Sequence, residues 1–336
     1  MKNCLKIVFF LFLMSVFQLS CKDSGSKRSG NLFVRNGWEA QVENVALIEV
    51  PIPFLSNIQK ISSVGHCLLL HHDKMDSVYS VWNMEPPYNH IRFGQVGNGP
   101  SDVLPTSFFI KEHSQNRIRV LDGTSIKSFV MSGDSVYFVE SRSCYSRYNF
   151  YRSIHAINDS LCLVDISAPH QTGLFLLNIY TREVYDSICV NEGYFDNKCV
   201  PHEFNFSVNS DKIVLGRARY DQIEVYRFDQ GRLKIIPEYV INYDNASSEK
   251  VDKSSACYMH DVVSDETCYY LLNQHTDHPG KQTYLDVYTW SGEPVNRMVL
   301  DGLYLHMVML DNKIYLKKYR DDDCIYMLPL DKLKSK

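Results

Sequence analysis

Twelve histidines raise the first chemical question of this sequence: could any of them hold a metal? His275, Asp277 and His278 fall within the polar stretch from Asn273 to Lys281, and imidazole and carboxylate groups so spaced in a loop suit a divalent cation. The same stretch, containing Pro279, also reads as a solvated hairpin tip, and both readings stay open. His66, His71, His72 and Asp73 form a second group around a short apolar run. His260-Asp261 reads as a strand-end hydrogen-bonding pair, and Asp321-Asp322-Asp323 as a solvated turn. Neither Gly-x-Ser-x-Gly nor His-Glu-x-x-His is present, so no linear motif announces catalysis. A site assembled from several separated strands would leave no such signature.

Glycines and cysteines carry the next candidates. Gly94, Gly97 and Gly99 have the look of a phosphate-binding loop, but Pro100 follows and no helix is expected after it, as such loops require. They are expected instead to serve a tight turn with positive φ. Of ten cysteines, Cys189 and Cys199 flank a loop containing Gly193 and Asn197 and are the pair to test for a disulfide. Cys67, Cys162 and Cys268 are expected in buried apolar slots. No Cys-x-x-Cys occurs, and no cofactor is implied.

These residues must be positioned by strands. From about Val45 the chain alternates apolar and polar residues over short runs broken by Asp, Asn, Ser and Gly. One unit recurs: a turn, then a strand whose second and fourth residues are apolar. Its second positions are Cys67, Ile118, Cys162, Ile213, Cys268 and Ile314, a spacing of about fifty residues. Six strand-only repeats at that spacing predict an all-β, six-bladed propeller with four strands per blade. The last copy ends too soon for a fourth strand, so the run from Val45 to Val50 is expected to complete it and close the ring. The propeller is predicted over 44–336. The 22 Tyr and 17 Phe of the whole chain suit large packed blade cores, and Tyr145, Tyr148, Tyr151, Tyr194 and Phe195 would favour a binding role if they lined one exposed face.

With 35 basic against 39 acidic residues and a net charge of −4, the chain lacks the basic field a nucleic-acid partner requires. Ahead of the repeats, Lys2 and Lys6 precede the apolar run from Ile7 to Phe17, which as a helix spans about 16 Å, too short for a bilayer core of about 30 Å. Residues 1–20 therefore read as a secretion signal. Leu19-Ser20-Cys21 resembles the lipobox of bacterial lipoproteins, which implies a lipid on Cys21 and a tether over 21–43. Lys22-Asp23 partly resembles the surface-export signal of Bacteroidetes lipoproteins. Phe93-Gly94-Gln95-Val96-Gly97-Asn98-Gly99-Pro100-Ser101-Asp102 resembles a segment of the TolB-like six-bladed propeller lipoproteins of Bacteroidetes. That resemblance implies an outer-membrane, lipid-anchored propeller and no established reaction. Asp-Ser followed by an aliphatic residue, at Ser77, Ser135, Ser160 and Ser187, resembles the O-glycosylation acceptor of that phylum, although Asp-Ser also simply makes a good turn.

The expected role is a lipid-anchored binding or scaffold module whose partner is a glycan, a peptide or another envelope protein. The alternative is a channel-centred enzyme such as a polysaccharide lyase or hydrolase, which needs His, Tyr, Arg or carboxylate groups converging from at least three blades.

Overall fold

The computed structural model describes residues 33–36, 42–52, 58–72, 75–86, 88–112, 114–144, 151–168, 171–189, 204–217, 222–242, 259–274, 282–319, 321 and 324–331. Three short strands come first: β1 (Phe33–Asn36), β2 (Val42–Asn44) and β3 (Ile48–Pro51). Blade one follows as β4 (Ile58–Val64), β5 (Cys67–His72), β6 (Ser77–Asn83) and β7 (His90–Gln95). Blade two is β8 (Phe108–Ile110), β9 (Arg117–Asp122), β10 (Ser125–Ser132) and β11 (Ser135–Ser143). Blade three is β12 (Tyr151–Ala156), β13 (Leu161–Ala168), β14 (Gln171–Asn178) and β15 (Val184–Cys189). Blade four is β16 (Phe204–Asn209), β17 (Lys212–Arg217), β18 (Gln222–Asp229) and β19 (Lys234–Asn242). Blade five is β20 (Met259–Ser264), β21 (Cys268–Asn273), β22 (Gln282–Thr289) and β23 (Pro294–Asp301). Blade six is β24 (Tyr304–Leu310), β25 (Lys313–Lys318) and β26 (Cys324–Pro329), completed by β3.

The fold is a six-bladed β-propeller of antiparallel blades. Its closing strand is the expected one: β3 pairs antiparallel with β26, Ile48 opposite Met327 and Pro51 opposite Cys324. Two further strands lie in or at the end of the stretch read as tether. β1 pairs parallel with β19 and β2 parallel with β23, so each adds a fifth strand to the outer edge of its blade. An outer strand otherwise presents unpaired backbone groups.

Flat sheets buried on both faces need a core between every neighbouring pair, and six apolar clusters supply them. The cluster joining blades six and one contains Leu68 and Leu70 from one side and Val308, Leu310, Tyr315 and Ile325 from the other. Each fully buried Leu or Ile contributes about 1.5–3 kcal/mol. His66 and Asp311 also meet across this seam at 2.8 Å, but both are exposed, and such a pair contributes about 1 kcal/mol or less. Apolar packing and the β3–β26 pairing therefore hold the ring closed.

The same clusters correct the repeat register. Ile118, Ile213 and Ile314 face the preceding blade, and so does Cys162. Cys67 and Cys268 face the following blade instead, while Leu68 and Tyr269 fill the slot assigned to them. Both cysteines are the first residue of their strand rather than the second, and a slip of one residue exchanges the faces of a sheet. Cys67, Cys144 and Cys162 are free thiols.

Candidate channel-mouth site

Alternating strand directions sort the connections onto two faces. On one face all are short, the longest spanning residues 111–116 and 84–89. The other takes the stretches 96–107, 190–203, 243–258 and 274–281. This loop face lies at the N-terminal ends of the six inner strands.

Four of those inner strands carry a bulge at their first residues. Ile58 opposes His72 and Lys60 opposes His71, so Gln59 is an extra residue in β4. Arg152 in β12, His260 in β20 and Leu305 in β24 are extra in the same way. A bulge breaks strict alternation and re-aims the side chains around it. Lys60, Asp261 and His306 come directly after their bulges, and Arg152 is itself a bulged residue.

These side chains meet at the channel. The Lys60 ammonium donates to the Arg152 carbonyl oxygen, reaching from blade one to blade three. On the way it passes the Phe108 ring of blade two, with its nitrogen 4.9 Å from the centroid. The Arg152 guanidinium lies 6.0 Å from the Phe204 ring centroid of blade four, and its Nε is 3.4 Å from the buried Asp165 carboxylate. Cations near ring faces gain about 0.5–2 kcal/mol, more as water is excluded. Across the channel, Asp261 Oδ2 accepts the Met307 N–H at 2.9 Å and lies 4.0 Å from His306 Nδ1. Ser207 and Ser264 hydroxyls hydrogen-bond at 2.8 Å between blades four and five.

The electrostatics of Lys60 follow from this crowding. Burial, then the nearby Lys111 cation, pushes its amine from 10.5 down to about 8, with Asp165 and Asp261 pulling the other way and Arg152 adding to the depression. A substantial fraction of this amine is thus neutral near pH 8, and a neutral amine is a nucleophile and a base.

The sequence candidates distribute differently. His66 lies at a tight turn, whereas His71 and His72 lie in the last residues of β5, near the loop face. His71 Nε2 is 3.2 Å from the Pro105 carbonyl and its ring stacks on Tyr79. His72 Nε2 meets the Ser80 hydroxyl at 2.6 Å, which Trp82 Nε1 also reaches at 2.8 Å. The three histidines are structural and are not brought together. Among the described residues no group of three or more His, Cys, Asp or Glu side chains could hold a metal. His275, Asp277 and His278, between β21 and β22 in the sequence, lie outside the described residues, as do Asp73, Cys21 and Cys199. Cys189 is the last residue of β15. Asp261 bonds as expected of a strand end, and Asp321 accepts the Tyr326 hydroxyl at 2.5 Å. Of the five loop aromatics, Tyr151 is described, and it is buried.

The glycine segment is a structural clasp. Gly99 N–H donates to Asp102 Oδ2 at 2.8 Å, so the amide a phosphate would need is already used. A Cβ on Gly97 would stand 2.3 Å from that carboxylate, and one on Gly99 2.7 Å. Close approach, rather than positive φ, requires glycine at these two positions, while Gly94 has a φ of +66°. Pro100 sits beside them, and Lys127 anchors the turn to blade two through Asp122 at 2.8 Å and the Asp102 carbonyl. Ser77 and Ser135 open strands directly after Asp76 and Asp134, and Ser160 lies in a tight turn. Ser187 sits inside β15, beside Asp186, which accepts the Ile235 N–H of blade four at 2.8 Å.

No protein-family model and no curated protein matches this chain. Solved structures do. A Bacteroides fragilis protein, named as exported by inference, has a TM-score of 0.56 at 12% identity over 88% of this chain and 98% of its own. A DUF4221-family member from Bacteroides vulgatus has a TM-score of 0.54 at 12% identity over 85% of this chain and 97% of its own. At such identities the likeness shows the fold, a six-bladed propeller shared with Bacteroides proteins.

Proposed function

We propose that this chain is an exported, lipid-anchored propeller of the bacterial envelope that binds a glycan or peptide at the loop-face mouth of its channel. The observation carrying this reading is the convergence of Lys60, Arg152, Asp165, Asp261 and His306 from four blades, flanked by Phe108 and Phe204. Carboxylates that accept, cations that donate and ring faces that stack are the complement of a hydroxyl- or amide-rich ligand. Export is supported by the basic-apolar stretch over 1–20 and by the fold shared with a Bacteroides protein named for export. The lipid on Cys21, the outer membrane and the TolB-like family rest on the lipobox-like Leu19-Ser20-Cys21 and on the segment from Phe93 to Asp102.

A glycan and peptide array, read with wild type and with a Lys60→Met/Asp261→Asn double variant, tests the binding site. The ligand retained by wild type should be lost by the variant; equal retention contradicts the assignment. Metabolic labelling with an alkyne fatty acid tests the anchor: Cys21→Ala should lose both label and membrane association.

The convergence also favours a second reading. It meets the requirement of a channel-centred enzyme for groups from at least three blades, with Lys60 as base. Release of new reducing ends or unsaturated products from a polysaccharide panel, abolished by Lys60→Met, is the result that reading requires.

A further inference from the structure

Lys60 has an environment that a purely electrostatic contact would not need. Its nitrogen projects across the channel mouth in front of blade two, over the Phe108 ring, and ends at the Arg152 carbonyl. Two cations, Lys111 and Arg152, crowd it, and two carboxylates, Asp165 and Asp261, stand near enough to oppose them. With Lys60 neutral these four charges balance, so the amine can lose its proton without leaving the site charged. Near it, Asp261 and His306 offer hydrogen-bonding groups from blades five and six.

We propose that Lys60 is a covalent docking site for hydroxylated aldehydes, the class to which the open-chain reducing end of a saccharide belongs. The amine attacks the carbonyl carbon and a C–N bond forms, giving a carbinolamine. The carbonyl oxygen then departs as one water with the two hydrogens that the amine nitrogen gives up, leaving an imine. No oxidant or reductant is consumed, and hydrolysis reverses the step. Asp261, the more accessible of the two carboxylates, accepts a hydrogen bond from the ligand's hydroxyls, while the Phe108 ring covers its carbon face. This inference rests on the channel mouth being the ligand site and names the chemistry performed there.

The test is reductive trapping of the full chain with glycolaldehyde and cyanoborohydride, followed by peptide mapping. Lys60 should be hydroxyethylated at least tenfold faster than the exposed Lys234, with its rate rising as pH passes through about 8. Lys60→Arg, which keeps the charge, should lose that fast phase and leave the slow labelling of other lysines unchanged. A Lys60 rate equal to that of the surface lysines overturns the proposal. Preferential trapping lost from Lys60 while array binding persists overturns the covalent chemistry alone, and loss of both overturns the site.

Discussion

The inner strands fall into two kinds. Those of blades one, three, five and six are bulged and bring Lys60, Arg152, Asp261 and His306 to the channel. The β8–β9 and β16–β17 pairings of blades two and four run without a register shift, and these strands bring Phe108 and Phe204. Each straight strand sets its ring against a cation from the blade before it, Lys60 on Phe108 and Arg152 on Phe204. One blade plan thus yields charged and aromatic walls by the presence or absence of one inserted residue. Evenness of repeat is a property of the blade cores, and the bulges release the channel from it.

The largest expected effect breaks the aromatic side. Phe204 is buried, so Phe204→Ala should cost about 3–5 kcal/mol in urea unfolding. Phe108 is only half-buried, and Phe108→Ala should cost about 1–2 kcal/mol. Equal losses would contradict the deeper burial of Phe204. On the charged side, Asp165→Ala removes the buried carboxylate beside the partly exposed Arg152 guanidinium and should cost about 2 kcal/mol. Asp261→Ala, which leaves the Met307 N–H without its carboxylate, should cost about 1–2 kcal/mol. Outside the channel, Gly94→Ala combines positive φ with a Cβ 2.4 Å from Val103 and should lower the urea midpoint by the equivalent of about 2 kcal/mol.

The last effect is a pH dependence. Burial, then the Arg92 cation, lowers His72 from 6.5 to about 4. Between those values the unfolded chain binds a proton that the folded chain refuses, so stability falls as pH falls from about 6.5 to 4. His72→Gln should flatten that part of a urea-midpoint profile, whereas changes at His306 should leave it in place.

Much of the ring was legible in the sequence because each copy pairs a turn with a strand, as at Asn116 before Arg117-Ile118 and Asp311-Asn312 before Lys313-Ile314. The β3 closure was legible from the short last blade. The slips at Cys67 and Cys268 have a physical cause: β5 and β21 are buried on both faces, so period two does not mark which face is which. β1 and β2 were not legible, since three or four residues pairing on an edge leave no periodic signal. The site was hidden for a related reason. An inserted residue in a bulge looks like any other strand residue, and Lys60, Arg152, Asp261 and His306 are far apart along the chain. Aligning the first strand of each copy rather than the second would have set these four residues near one another as charged or ionisable groups preceding an apolar strand body.

The central claim is that bulged strands crowd Lys60 with cations at the channel mouth. Titrating the lysine ε-amines by nuclear magnetic resonance, in wild type and in Lys60→Met, tests it most directly. One resonance should titrate near 8 and vanish in the variant. A wild-type spectrum in which no lysine resonance titrates near 8 would contradict it.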